Sequence, residues 1–129
     1  MIVDSSALIA ILFQEPDARR FADALTLEAR SSVSAVTFVE TAMVAEGRGG
    51  AAAGAELDLF LTEGTIEVVP VGERQARLAR DAWRRYGKGR HPAGLNLGDC
   101  FAYALAMERG EPLLFKGEDF ARTDVKAAI

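Results

Sequence analysis

The stretch Met1-Ile2-Val3-Asp4-Ser5-Ser6-Ala7-Leu8 decides how the rest of the chain is read. Met1 to Val3 is a short apolar run suited to a buried strand. Asp4, Ser5 and Ser6 are helix-capping types, and Ala7 to Phe13 then reads as a helix. Strand, acid, cap and helix follow one another without a linker. The same alternation continues outward. A helix restarts at Pro16-Asp17 and runs to about Leu27, Ser32 to Ser34 is a second strand, and Thr37 to Glu46 is helical. In that helix Val39 and Met43 lie on one stripe, with Phe38, Ala42 and Ala45 beside it. Gly47-Arg48-Gly49-Gly50 predicts a break, and Ala51 to Thr62 a new helix with Leu57, Phe60 and Leu61 on its apolar face. Ile66 to Pro70 is a third strand and Glu73 to Tyr86 a long helix. Gly87 to Leu95 is a loop. Asn96 caps a helix from Leu97 to Glu108, which Gly110 stops. Leu113 to Phe115 is a fourth strand, and the tail around Thr123-Asp124-Val125 is a candidate for a short last one.

Short strands, apolar on both faces and separated by helices, predict an α/β fold: a short, mostly parallel central sheet covered by helices. The chain of 129 residues is long enough for one domain with a core, and half of it is apolar. No run reaches membrane-spanning length and the opening residues do not resemble a signal peptide, so the expected location is cytoplasmic. A single cysteine excludes an internal disulfide, and one histidine with one cysteine excludes the usual zinc cages. Any metal must then be held by oxygen. The net charge of −4 argues against a nonspecific nucleic-acid coat. Arg84, Arg85, Lys88, Arg90 and His91 form one locally basic segment, open to two readings: a solvated helix end with its loop, or a phosphate contact.

Four acids stand at positions that structure alone does not require. Asp4 closes the first strand, and Asp119 follows the fourth. Glu40 and Asp99 fall in first turns of helices. Each has an ordinary explanation. Asp4 can cap a helix, Thr37-x-x-Glu40 fits a capping box and Asn96-x-x-Asp99 resembles one. If the fold gathers them, however, they must share protons or hold a cation. In open parallel sheets, sites form beyond the carboxyl ends of the strands, where Asp4 and Asp119 lie. Cys100 reads as a small buried residue, Trp83 and Phe101 as core, and His91 as a solvent-facing loop residue.

The four segments resemble the PIN-domain family, and within it the VapC toxins of bacterial type II toxin–antitoxin pairs. The opening Met1 to Leu8 is similar to the family's first motif. Ser34-Ala35-Val36-Thr37-Phe38-Val39-Glu40 is similar to the second, and Leu95 to Ala104, around Asp99, to the third. Leu113-Leu114-Phe115-Lys116-Gly117-Glu118-Asp119-Phe120 is similar to the closing motif, followed by Thr123-Asp124. The match runs over the whole chain, so the resemblance implies one PIN domain over residues 1–129, a three-layer αβα sandwich. It implies an endoribonuclease that uses Mg²⁺, with Mn²⁺ as a substitute, and cleaves RNA by a metal-activated water, leaving 5′-phosphate and 3′-hydroxyl ends.

Carried over by position, Asp4 and Asp99 are the principal metal ligands and Glu40 a third acid. Many PIN domains carry their fourth acid where this chain has Gly117. Glu118 and Asp119 adjoin it, and Asp119 is favoured. Ser6 is expected to steady a carboxylate or a water. Lys88, Arg90 and Lys116 are candidates for the RNA backbone. The implied partners are a VapB-type antitoxin and a second copy of the chain, with the helices Pro16–Leu27 and Thr37–Thr62 as docking surfaces and a basic antitoxin side chain entering the acidic pocket. Two alternatives remain open at this point: a PIN-fold binding module that has lost the chemistry, and a Mg²⁺-dependent phosphatase or receiver domain built on a phosphoaspartate. A haloacid-type phosphatase would want a second Asp where Ser6 stands.

Overall fold

Ile2, Val3, Leu113 and Leu114 are fully buried, and their alternation explains the layering. Successive strand residues point to opposite faces. Ile2 and Leu113 enter a core shared with Ala79, Ala82, Leu95, Tyr103 and Leu105, whereas Val3 and Leu114 enter a second core with Leu8, Phe21, Val33 and Leu57. Each such side chain contributes about 1.5–3 kcal/mol by leaving water, so strands of two residues suffice when both faces are covered.

The computed structural model describes residues 1–129. Strands β1 (Ile2–Val3), β2 (Ser31–Ser34), β3 (Ile66–Val69) and β4 (Leu113–Leu114) form one sheet in the order β3-β2-β1-β4, with every pairing parallel. Helices α1 (Ser5–Leu12), α2 (Ala18–Thr26) and α3 (Ala35–Glu63) accompany the second core. Helices α4 (Glu73–Tyr86) and α5 (Leu97–Arg109) accompany the first. The expected αβα sandwich is therefore present. Ala102, Ala104 and Ala106 on α5 and Ala79 and Ala82 on α4 are buried small residues that let these helices approach the sheet and each other.

The differences from the sequence reading are local. Helix α1 begins two residues earlier than predicted, because Asp4 itself is the cap and not merely the first of three cap residues. The predicted break over Gly47–Gly50 narrows to Gly50, whose non-helical φ of 69° and ψ of −167° divide the α3 span into two helices joined at a kink, with the second restarting at Ala51 as expected. Strand β4 omits Phe115, which instead packs on Phe120 with ring centroids 5.3 Å apart. The last strand reduces to one parallel bridge between Leu113 and Ala127, beyond the expected Thr123–Val125. Trp83 is not core: it is 46% exposed and the Arg90 guanidinium lies 4.5 Å from its ring centroid. His91 is not a free loop residue either, since its Nδ1 accepts the Ala93 N–H at 3.0 Å and its ring meets Tyr86 edge-on.

Candidate active site

Parallel pairing of β1 with β4 sends both chains out at the same edge of the sheet. The Asp4 N–H donates to Leu114 O at 2.9 Å, so Asp4 is the first residue beyond the ladder. Its side chain is 2% exposed. Asp4 Oδ2 accepts the Ser6 N–H at 3.0 Å and the Ser6 hydroxyl at 2.6 Å. Oδ1 is buried with no hydrogen-bond partner. The capping and functional readings thus divide between two atoms of one carboxylate. Oδ2 caps α1, and Oδ1 is left bare, itself out of reach of solvent. A buried acceptor left unmade is costly, and burial is the main reason the Asp4 carboxyl is pushed above its ordinary range, with the Glu40 charge adding to it.

Glu40 arrives from α3. The expected capping box from Thr37 does not form, because α3 starts at Ala35 and Ser34 is its cap, accepting the Val36 N–H. Thr37 and Glu40 therefore lie inside the helix, and the Glu40 carboxylate is free to reach across to α1, where Ser5 Oγ donates to Oε1 at 2.7 Å. Asp99 arrives from α5, and there the capping box is real. The Asp99 N–H donates to Asn96 Oδ1 at 2.8 Å and the Asn96 N–H to Asp99 Oδ2 at 3.0 Å. Burial raises the Asp99 pKa to about 7 against the Asn96 hydrogen bond, helped by the charges of Asp4, Glu40 and Asp119.

These residues line one pocket of about 280 Å³, together with Ser5, Ser6, Asn96, Lys116 and Phe120. Of the two candidates for the fourth acid, Asp119 lines this pocket and Glu118 does not. Gly117 has a φ of +96°, a conformation that an acidic residue would adopt only with strain. The backbone thus turns there, and Asp119 leads into the single 3₁₀ turn Phe120–Arg122. Buried Phe120 anchors that turn on one side. On the other, Asp124 accepts the Tyr103 hydroxyl at 2.6 Å and Arg85 Nη2 at 3.1 Å.

As the side chains stand, no group of three or more His, Cys, Asp or Glu is arranged to hold a metal ion. The donor chemistry nonetheless suits a hard divalent cation: Asp4, with its unpartnered buried oxygen, lines one pocket with the carboxylates Glu40, Asp99 and Asp119, and the pocket has room for water. Mg²⁺ keeps several waters and takes few carboxylates, so it does not require a closed cage of acids.

The basic candidates separate. Lys88 and Arg90 are exposed on the loop after α4, and Lys88 lines an apolar groove between α4 and α5. Lys116 sits at the acid pocket, but its ammonium donates to Glu15 at 2.6 Å and Asp17 at 3.2 Å. Its backbone N–H donates to Ser6 Oγ at 2.9 Å, so Ser6 links β4's exit to the Asp4 carboxylate. Cys100 is buried as expected, its thiol pushed up to about 11 mainly by that burial. Ser5 and Gly98 were missed by sequence reasoning. Ser5 resembles any cap-region serine, and Gly98 is explained only by what lies across from it.

Acids collected at the carboxyl edge of a short parallel sheet define a class of fold and site, and comparison with known proteins agrees. The PIN-domain family model matches residues 1–126. The chain belongs to the PIN-domain family, among its VapC ribonucleases. It is 52% identical over 125 residues to ribonuclease VapC30 of Mycobacterium tuberculosis, covering 97% of this chain and 95% of that relative. It is 53% identical over 127 residues to a ribonuclease VapC of Mycolicibacterium smegmatis, covering 98% of each. Among solved structures, Mycobacterium tuberculosis VapC20, described as a sarcin-ricin loop cleaving toxin, superposes with a TM-score of 0.78 over 96% of this chain and 95% of that one at 15% identity. A toxin–antitoxin complex from Klebsiella pneumoniae gives a TM-score of 0.71 at 20% identity, over 95% of this chain and 92% of that one. These two likenesses concern the fold. The family that matches is the PIN domain, not a phosphatase or receiver family.

Proposed function

We propose that the protein is a divalent-metal-dependent endoribonuclease, the toxin of a toxin–antitoxin pair, held inactive by a VapB-type antitoxin. The observation that carries the reading is the unpartnered, buried Oδ1 of Asp4, a residue that lines one pocket with Glu40, Asp99 and Asp119. Asp4, Asp99 and Glu40 would hold Mg²⁺ or Mn²⁺, directly or through water, with Asp119 at the far rim. When bound, such an ion neutralises the scissile phosphate and makes water a better nucleophile. The protein's own residues prepare for this. Ser6 fixes Asp4 through two hydrogen bonds to Oδ2, which leaves Oδ1 uncommitted. Ser5 holds Glu40. Asp99, with a pKa near 7, gives up its proton readily as positive charge arrives. Lys88 and Arg90, both exposed on the loop after α4, are the side chains assigned to RNA backbone phosphates, whereas Lys116 serves to join β4's exit to the α1–α2 turn.

The relatives' names support the RNA substrate, and the Klebsiella complex supports an antitoxin partner. The surface supports a protein partner as well. The α3 stripe predicted to be apolar is exposed in its first half, with Val39 at 52% and Met43 at 70%, and Leu97 beside it is 75% exposed. These residues line an apolar groove that Glu40 joins to the acid pocket. A partner covering the groove could send an Arg into the pocket, where a bidentate pair would compete with the metal. A second copy of the chain is the other expected occupant of exposed apolar surface.

The test is cleavage of single-stranded RNA with Mg²⁺ or Mn²⁺ and with EDTA, for the wild type and Asp4→Asn. Loss of cleavage in both EDTA and the variant, with folding intact, supports the reading. Cleavage that survives both rules the mechanism out.

A further inference from the structure

Gly98 is a buried residue in the first turn of α5. Its φ lies outside the positive range that demands glycine, and alanine is the better helix former because glycine loses more backbone freedom on folding. Local structure therefore gives no reason for glycine here. The reason lies across the packing interface. A β-carbon on Gly98 would stand well inside van der Waals contact of the Glu40 carboxyl group, 2.7 Å from its Oε1 and closer still to Oε2. The same Oε1 accepts the Ser5 hydroxyl at 2.7 Å. The carboxylate is thus held between a hydroxyl on α1 and the bare backbone of α5, beside Asp4 and Asp99.

We propose that Gly98 is a positioning residue: its missing side chain is the slot that seats the Glu40 carboxylate in the acid pocket, with Ser5 as the opposing wall. This rests on the metal-dependent reading above and deepens it. The atoms that would collide with a β-carbon are the far end of a flexible side chain, so they yield before the backbone does. Substitution by alanine leaves the fold intact, improves the helix and expels the acid from its place.

The experiment is a double-mutant cycle of Gly98→Ala and Glu40→Ala, read by Mn²⁺ affinity from electron paramagnetic resonance, by kcat and KM on a single-stranded RNA, and by the unfolding midpoint in EDTA. In Gly98→Ala, Mn²⁺ affinity and kcat fall by about 10–100-fold, the scale for residues that orient ligands, KM moves little, and the midpoint stays equal or rises. In the Glu40→Ala background the same glycine substitution changes neither affinity nor kcat. Full Mn²⁺ affinity and kcat in Gly98→Ala overturn the proposal, as does an equal loss in both backgrounds. If Gly98→Ala fails to fold while the double variant folds, the carboxylate does not yield to the β-carbon, and the proposal that it is expelled from an intact fold is overturned. If both fail, the glycine serves helix packing and the proposal falls. A wild type without metal-dependent cleavage defeats the functional reading instead, and the Mn²⁺ cycle still reports on Gly98.

Discussion

Replacing Asp99 by Asn should make the metal-free protein more stable at pH 8 while destroying its response to metal. The Asp99 pKa rises from 3.8 to about 7, mainly through burial. A carboxyl whose folded pKa is raised contributes stability that is complete below 3.8 and is lost as pH rises through about 7. At about 1.4 kcal/mol per pKa unit the full rise corresponds to about 4 kcal/mol. Asp99 is only partly buried, so solvent screening reduces this to about 1–2 kcal/mol. The capping box survives the substitution, because Asn also presents an oxygen to the Asn96 N–H. The assay is urea unfolding of wild type and Asp99→Asn in EDTA at pH 5 and pH 8, repeated at pH 8 with Mn²⁺. At pH 5, already above 3.8, the gap between the two proteins should be less than half of its value at pH 8. At pH 8 the variant should be more stable by about 1–2 kcal/mol, read as a higher urea midpoint. Mn²⁺ should then raise the wild type by mass action and leave the variant nearly unchanged. A variant less stable than the wild type at pH 8 in EDTA would refute the reasoning, since the carboxylate would not be held at a cost to the fold.

Other expectations are simpler. Asp4→Asn should lower kcat by more than about 100-fold, exceeding the usual loss for residues that merely orient ligands, with circular dichroism unchanged; a smaller loss would demote Asp4 from the site. Asp119→Asn should reduce cleavage and Glu118→Gln should not, because only Asp119 lines the pocket; equal activity in both variants removes the assignment. Lys88→Ala and Arg90→Ala should each weaken RNA binding and lessen its salt dependence, measured by fluorescence anisotropy, whereas Lys116→Ala should leave that salt dependence unchanged because its ammonium is engaged by Glu15 and Asp17. Tyr103→Phe should cost about 1–2 kcal/mol in chemical unfolding by removing a hydrogen bond to the charged Asp124.

The alternation of strands and helices was legible from residue order because apolar runs too short for a helix, bounded by caps and glycines, have few other uses. Helix ends were less legible. Thr37-x-x-Glu40 and Asn96-x-x-Asp99 look alike as text, yet only the second caps, because Ser34 had already started α3. The apolar stripe of Val39 and Met43 was visible, but not that it faces outward.

The sequence by itself determined the order of the acids along an α/β chain, and with it the family. Local patterns suffice for that, since strands, caps and motif spacing are properties of neighbours along the chain. Tertiary structure alone decided which atoms are bare and which are held. Asp4 Oδ1 is unpartnered, Asp119 rather than Glu118 reaches the pocket, Lys116 is engaged by two acids, and Gly98 makes room for Glu40. Those facts depend on partners between 35 and 101 positions apart, or on a collision that exists only when α3 and α5 meet. Burial and contact across the fold carry no signature in any one segment.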